Sequence, residues 1–255
     1  MNMQVRLLGT GTSTGVPEVG CNCNVCTSTD SKDKRLRSSV EVRVDEVRII
    51  IDCTPDFRQQ ILPLSFDKID AVLITHEHYD HIGGIEDLRT FSYIAPVDIY
   101  AESNVEEALR HRLYYLFKRH EYRGITEIKI NKIDAQQPFL VKGVEIIPIR
   151  VYHHRLPIVG YRIGNFAYLT DVKYFPEEEY SKLEGLDTLI INALRNQEHI
   201  SHLSVEEALQ VAQRIGARQT FFTHMSHHIG LHEDVNQRLP EGYALAYDGL
   251  ELNIP

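Results

Sequence analysis

The chain contains no tryptophan, three methionines and four cysteines. None of its apolar runs approaches the roughly 20 residues that a membrane-spanning helix requires. The opening "MNMQVRLLGTGTSTG" turns polar after a few apolar residues, so no secretory leader is expected and the reading is cytoplasmic. Positive charge is also scarce: 27 Lys and Arg stand against 36 Asp and Glu, a formal net charge of -9. That balance argues against a large nucleic-acid partner, whose affinity rests on phosphate contacts, but is compatible with a small anionic substrate. No linker, low-complexity tract or charge block divides the 255 residues, so 1–255 reads as one domain. Four cysteines are too few for a disulfide scaffold of this size, yet Cys21, Cys23 and Cys26 crowd into "VGCNCNVC" at 19–26. In a reducing compartment such spacing holds metal more often than it forms disulfides. Three thiols are one ligand short of a tetrahedral site.

What is plentiful is histidine: 13 residues, clustered at 76–81, 153–154, 199–202 and 224–232. Around these clusters the pattern alternates short apolar runs with polar turns. "MQVRLLGT", "SSVEVRV", "VRIIIDC", "IDAVLITH" and "VDIYAE" read as strands in the first half. "VEIIPIRVYHH", "GYRIGNFAYLTD", "LDTLIINAL", "RQTFFTH" and "YALAYDGLELNI" read as strands in the second. "DFRQQILPL", "VEEALRHRLYYLFKRH" and "YFPEEEYSKL" read as helices. "SHLSVEEALQVAQRIG" does so most clearly, with a serine cap, an acidic first turn and a terminal glycine. Strands in runs with helices to cover them predict stacked sheets, in an α/β or α+β layer architecture. The chemistry-bearing residues fall where apolar strands end.

"THEHYDH" supplies His76, His78, Asp80 and His81. Imidazole and carboxylate are ligands for zinc, manganese or iron, and so dense a set has little use in a core. In an extended segment His76 and His78 point the same way. A tight turn then carries Asp80 and His81 towards a second position, a geometry suited to two metals.

HxHxDH after an apolar strand resembles the signature of the metallo-β-lactamase-fold hydrolases. Asp52 at the end of "VRIIIDC", then "VYHHRLPIVGYRI", "YLTDV" and "FFTHMSHH", match that family's later motifs in order, so the resemblance covers essentially the whole chain. It implies a four-layer αββα sandwich. It also implies one metal on His76, His78 and His153 and a second on Asp80, His81 and His224, with Asp171 bridging. His154 competes with His153 on residue chemistry alone; the resemblance favours His153 by its distance from "LPIVGYRI". Asp52 is expected to orient the histidine loop through hydrogen bonds. Two such cations deprotonate a shared water, polarise a phosphoryl or carbonyl oxygen and clamp the transition state. Histidine at position 78, where oxygen-reducing diiron relatives carry glutamate, favours hydrolysis.

The cysteine cluster resembles one branch of the family, the PhnP-like phosphodiesterases. There a CxCxxC and a histidine just after the last active-site histidine form a separate structural zinc site. That implies Cys21, Cys23, Cys26 and His227, a staple of the loop around 19–27, with His228 and His232 as competing nitrogen donors. The same branch implies His202, in "HISHLS", as a proton donor to the leaving group. Asp80 and His202 are thus the catalytic candidates. Cys53 reads as a small core residue. "LLGTGTSTGVP" is a Gly/Thr/Ser loop expected beside the pocket, without the lysine of a phosphate loop. The basic aromatic stretch 109–123 reads as a surface helix, with a phosphate-attracting lid as its sharper alternative.

The expected function is therefore a dinuclear metal-dependent phosphodiesterase for small or cyclic phosphodiesters. Two divalent metals, manganese, zinc or iron, serve its active site and one zinc its staple. A tRNA 3′-processing endonuclease is the nearest rival, and a pyrroloquinoline quinone biosynthesis relative, similar around "DCTPDFRQQ", the non-hydrolytic one. The resemblance also implies a homodimer and no membrane partner.

Overall fold

Continuous apolar runs such as "VRIII" can be satisfied only if both faces of a strand are covered. The computed structural model, which describes residues 2–117 and 128–255, covers them with a second sheet on one side and helices on the other. The first half supplies β1 (Met3–Gly9), β2 (Ser39–Val44), β3 (Val47–Ile51), β4 (Ala71–Leu73), β5 (Val97–Ala101) and β6 (Ile128–Lys132). The second half supplies β7 (Phe139–Val141), β8 (Val144–His153), β9 (Leu156–Ile163), β10 (Phe166–Leu169), β11 (Thr188–Asn192), β12 (Gln219–Thr223) and β13 (Tyr243–Leu245). The last strand, β14 (Glu251–Ile254), returns to the first sheet beside β1. Among the described residues the sheet orders are β14-β1-β2-β3-β4-β5-β6 and β13-β12-β11-β10-β9-β8-β7.

Each sheet is antiparallel on one side and parallel on the other. In the first, β1, β2 and β14 pair antiparallel, while β3 through β6 run parallel. In the second, β7 through β10 are antiparallel and β10 through β13 parallel. The sheets face one another through a shared core in which Val5, Val42, Ile49 and Leu73 meet Ile146, Tyr161, Phe166 and Ile190. Outside the first sheet, Ile50, Val72 and Ile99 pack under Phe57, Leu88, Val105 and Leu109 of the covering helices. Outside the second, Ile149, Leu169 and Ile191 pack under Leu183, Ala208, Ala212 and Ile215. This is the helix–sheet–sheet–helix order of the metallo-β-lactamase sandwich. Each fully buried Ile or Leu contributes about 1.5–3 kcal/mol.

The helix Val205–Ile215 forms as its sequence dictates. Ser204 caps the Glu207 backbone, the Glu207 side chain answers to the Ser204 backbone, and Gly216 ends the helix at φ 73. Other elements depart from the sequence expectation. "YALAYDGLELNI" is two strands in different sheets, because Thr10 and the Leu36 backbone fix Asp248 between them and Gly249 takes φ 88. "YFPEEEYSKL" forms 3-10 turns over Glu177–Leu183. The helix expected over 105–120 spans Ser103–Arg112 and yields at Leu113 to a 3-10 turn, Tyr114–Leu116, where aromatic residues of modest helix propensity follow one another. Residues 118–123 of the proposed lid lie outside the described residues.

Candidate metal centres

The loops after the parallel strands gather the histidines and aspartates at one end of the sandwich, as open parallel sheets do with their sites. Three of the turns use a backbone that side chains rarely adopt. Asp52 after β3, Asp171 after β10 and His224 after β12 have φ of 63, 57 and 56. Left-handed backbone at non-glycine residues is costly and collects at functional sites. Here it swings three polar side chains inward at the moment each strand ends.

After β4 the chain runs without regular structure to His76, bends at Glu77 and from an extended His78 enters the short helix Tyr79–Ile82, which supplies Asp80 and His81. The expected turn is thus a helical one. His76 Nε2 and His78 Nδ1 approach to 3.0 Å. Asp52, fully buried, accepts from the Thr75 backbone at 2.9 Å and from Thr75 Oγ1 at 2.9 Å, and its Oδ2 lies 2.7 Å from His81 Nδ1. Burial pushes the Asp52 pKa up against the pull of His81 and these donors. Asp52 therefore holds the loop, as its orienting role requires, and leaves His81 Nε2 pointing into the cleft.

Asp171 is the hub. Its Oδ2 is 3.2 Å from His81 Nε2, and its Oδ1 is 3.2 Å from His224 Nε2 and 3.0 Å from His202 Nε2. Asp80 Oδ2 lies 3.1 Å from His81 Nε2. His153 Nδ1 donates to the backbone carbonyls of Ser201, at 2.8 Å, and Asp171, at 3.1 Å, so its Nε2 is free to act as a ligand. Its ring sits 5.8 Å from that of His76 and 5.1 Å from that of His78. His154, exposed at φ 55, turns the β8–β9 hairpin instead.

Donor atoms cluster within 4.8 Å in three overlapping sets: His76, His81 and Asp171; Asp80, His81 and His224; and His153, Asp171 and His202. The expected first-metal histidines, His76, His78 and His153, are brought side by side, and the expected second set is gathered as a unit. Asp171 belongs to the first and third of the overlapping groups and lies 3.2 Å from both His81 Nε2 and His224 Nε2 of the second. His202 joins the cluster at Asp171.

The chemistry of this pocket asks for cations. Burial alone would lower the His81 pKa, but Asp80, Asp171 and Asp52 overcome it and hold it well above the ordinary value. Burial lowers the His76 pKa strongly and brings His224 to about 4, so those rings are neutral donors near neutral pH. Buried His81 Nε2 has no aligned hydrogen-bond partner despite its near carboxylates. The neutral His76 and His224 rings, the deprotonated Asp80 and Asp171, and a His81 nitrogen whose proton the surrounding carboxylates hold in place of a cation fit divalent metals, which would displace that proton.

A second donor set stands apart. Cys21 Sγ and Cys23 Sγ are 3.3 and 3.2 Å from His227 Nδ1, and Cys26 completes a four-donor group within 4.8 Å. His228 and His232 are outside that group. Cys23 also caps the short helix Asn24–Thr27. Hydrogen bonds from His227 and the Cys26 backbone pull the Cys23 pKa to about 6, whereas burial lifts Cys26 to about 11. The donors match a closed structural zinc site. His232 instead accepts, at Nδ1, from buried Arg35 (3.1 Å), and its backbone donates to Asp33 Oδ1. Cys53 is fully buried beneath the first sheet, with its thiol pKa well raised by burial.

Sequence reasoning missed several supporting residues. Thr12 Oγ1, in the Gly/Thr/Ser loop, is 3.1 Å from His224 Nε2. Glu18 Oε2 is 3.2 Å from His227 Nε2 and orients the staple histidine. Thr75 stands next to the histidine motif, a positional clue; Glu18 offered none. Arg112, in the described part of the basic stretch, donates to the Glu77 carbonyl at 2.6 Å between the two motif histidines.

Comparison with known proteins bears on the family and the fold. The β-lactamase superfamily domain model matches residues 47–225. A Porphyromonas gingivalis protein named octanoyltransferase is 46% identical over 251 residues, which are 98% of this chain and 51% of that protein. The chain spans about half the length of the curated relatives it matches. A solved structure described as a new diphosphatase from the PhnP family superposes with a TM-score of 0.93 at 39% identity, covering 100% of this chain and 98% of that one. Zinc-bound PqqB from Methylobacterium extorquens, 20% identical with a TM-score of 0.79 over 98% of this chain and 99% of its own, shares the fold. No helix among the described residues is long and apolar enough to cross a membrane. The chain belongs to the β-lactamase superfamily, as a metallo-β-lactamase-fold protein of the PhnP-like type.

Proposed function

We propose that the chain is a metal-dependent hydrolase of small phosphoric diesters or diphosphates, with a dinuclear active site and a separate structural zinc. The observation that carries this reading is that Asp171 is common to the His76–His81 and His153–His202 donor sets and also lies 3.2 Å from His224 Nε2, all in one cleft. His76, His78 and His153 would hold one cation, Asp80, His81 and His224 the other, and Asp171 both. Divalent metals in these positions supply Lewis-acid stabilisation of a phosphoryl oxygen and a nucleophilic water. The protein's own part is to orient the donors through Asp52 and Thr75 and to deliver a proton through His202. As water bonds to phosphorus, the bond from phosphorus to the leaving oxygen breaks. The electron pair goes to that oxygen, which takes the proton from His202 Nε2.

The diphosphatase of the PhnP family supports phosphorus chemistry at this site. The octanoyltransferase name belongs, in this reading, to the half of the Porphyromonas protein that this chain does not span. Acyl transfer through a thioester needs a reactive thiol, and the four cysteines here are either gathered on His227 or sealed in the core. The net charge of -9 disfavours a tRNA substrate.

The test is metal content by mass spectrometry, paired with hydrolysis of bis(p-nitrophenyl) phosphate, 2′,3′-cyclic nucleotides and dinucleoside diphosphates, with and without manganese. Metal-dependent turnover with metal beyond the staple's zinc is expected. Staple zinc alone, with no phosphorus–oxygen cleavage under any metal, would sink the proposal and favour a biosynthetic, non-hydrolytic role.

A further inference from the structure

We propose that His199 is a positioning residue for His202, holding that ring through an Nδ1-to-Nδ1 hydrogen bond so that its Nε2 faces the reacting centre. The proposal rests on the proton-donor role given to His202 above.

Proton bookkeeping around Ser201 carries the inference. The Ser201 backbone N–H donates to His199 Nδ1 at 3.3 Å. A backbone amide can only donate, so His199 Nδ1 is an acceptor and its ring carries its proton on Nε2. His202 Nδ1 lies 3.1 Å from that same nitrogen. Two unprotonated nitrogens would repel at this separation, so the proton between them belongs to His202 Nδ1. Ser201 Oγ closes the group, 3.1 Å from His199 Nδ1 and 3.0 Å from His202 Nδ1.

The consequence falls on the far side of the His202 ring. With Nδ1 held by His199 and Ser201, Nε2 is the nitrogen turned towards the donor cluster, 3.0 Å from Asp171 Oδ1. The ring is clamped in that orientation. It stacks on His224 at 5.1 Å and 16° and meets His153 edge-on at 4.5 Å. The loop beneath it is fixed by backbone hydrogen bonds from Leu194 to Leu203 and from Leu203 to Val172, and by the Ser201 carbonyl on His153. His199 does not reach Asp171 in this arrangement, so it acts through His202. Tautomer control of one imidazole by the partner of its other nitrogen is a general device. Here the partner is a second histidine rather than a carboxylate, which avoids adding negative charge beside a phosphate substrate.

The experiment uses the metal-loaded protein and a series of aryl phosphodiesters running from p-nitrophenyl to unsubstituted phenyl leaving groups. A good leaving group needs no proton, and a poor one does. His202→Ala is expected to lose about 10²-fold in kcat on the phenyl ester and little on the p-nitrophenyl ester. His199→Ala is expected to steepen the leaving-group dependence in the same sense, with about tenfold loss of kcat on the phenyl ester and KM unchanged. His199→Asn, whose Oδ1 can occupy the place of the imidazole Nδ1, should restore activity to near the parent. Metal content and melting temperature should stay at the parent values in all three. If His202→Ala steepens the dependence but His199→Ala does not, or if His199→Asn fails to rescue, the positioning role is wrong while the proton donor stands. If His202→Ala leaves the dependence flat, the proton-donor reading falls, and the role of His199 with it.

Discussion

The two donor clusters of this molecule are built from opposite materials. The active-site cluster is made of imidazoles and carboxylates drawn from strand ends across both sheets; His76, Asp80, His81, Asp171 and His224 are buried, and Asp171 and His224 sit on the left-handed backbone described above. The staple is made of three thiols from one short loop and a single imidazole from far along the chain, at the half-exposed rim. Soft, closed and local on one side, hard, shared and dispersed on the other: the first arrangement suits a permanent structural ion, the second a site that must also admit substrate. Both lean on the same segment, since His224 and His227 are three residues apart. A zinc held by the staple donors would therefore fix the loop that carries His224.

That contrast can be broken most sharply at Asp80. Asp80→Ala should reduce hydrolysis by more than the 10–100-fold typical of a supporting residue, with fold and staple zinc retained. Steady-state kinetics and metal analysis on one preparation check it; parent-like activity would rule out the dinuclear mechanism. Next comes Asp52→Asn, which removes the charge and one of the two acceptor oxygens facing Thr75 and His81 without replacing a proposed metal ligand. A loss of about 10–100-fold in activity is expected, partly recovered at high metal concentration, as read from a metal titration of turnover.

Cys23→Ser probes the other cluster. About one zinc per chain should be lost and the melting temperature should fall by several degrees, about 2–4 °C for each kcal/mol in a chain near this size. Activity should drop only indirectly, by less than about tenfold, because the ligands of the reacting centre are intact. Unchanged zinc content would exclude the staple.

The smallest effect concerns pH. His232 has its pKa lowered to about 4, by burial first and then by Arg35 and Lys32. The folded state keeps the ring neutral while the unfolded chain protonates it near its ordinary value, so the stability tied to this ring is full above that value and is lost as pH falls towards 4. His232→Gln should flatten the slope of stability against pH in that window. Urea unfolding at a series of pH values measures it, and an unaltered slope would remove His232 from the account.

Much of this was legible in the residues themselves. The histidine motif places its donors within six residues, so a local turn suffices to bring them together, and the cysteine cluster is equally local. The capped helix 205–215 and the apolar strands carry their own patterns. Less legible were elements whose form depends on neighbours: the split of 243–254 between two sheets, or the helix that stops at Arg112. Residue chemistry alone could not choose between His153 and His154, and only the family resemblance favoured His153. The hairpin exposes His154 and aims His153 at the Ser201 carbonyl, an arrangement that spacing does not convey.

The sequence by itself determined the chemistry available: which donors exist, their hardness, and that short-range spacing gathers them in groups. Only the tertiary structure decided how those groups meet. Asp171 becomes a hub, Glu18 a partner of His227 and His199 a partner of His202 because distant strand ends and loops converge. Such convergence is set by the packing of two sheets on one core, a long-range property that local pattern does not encode.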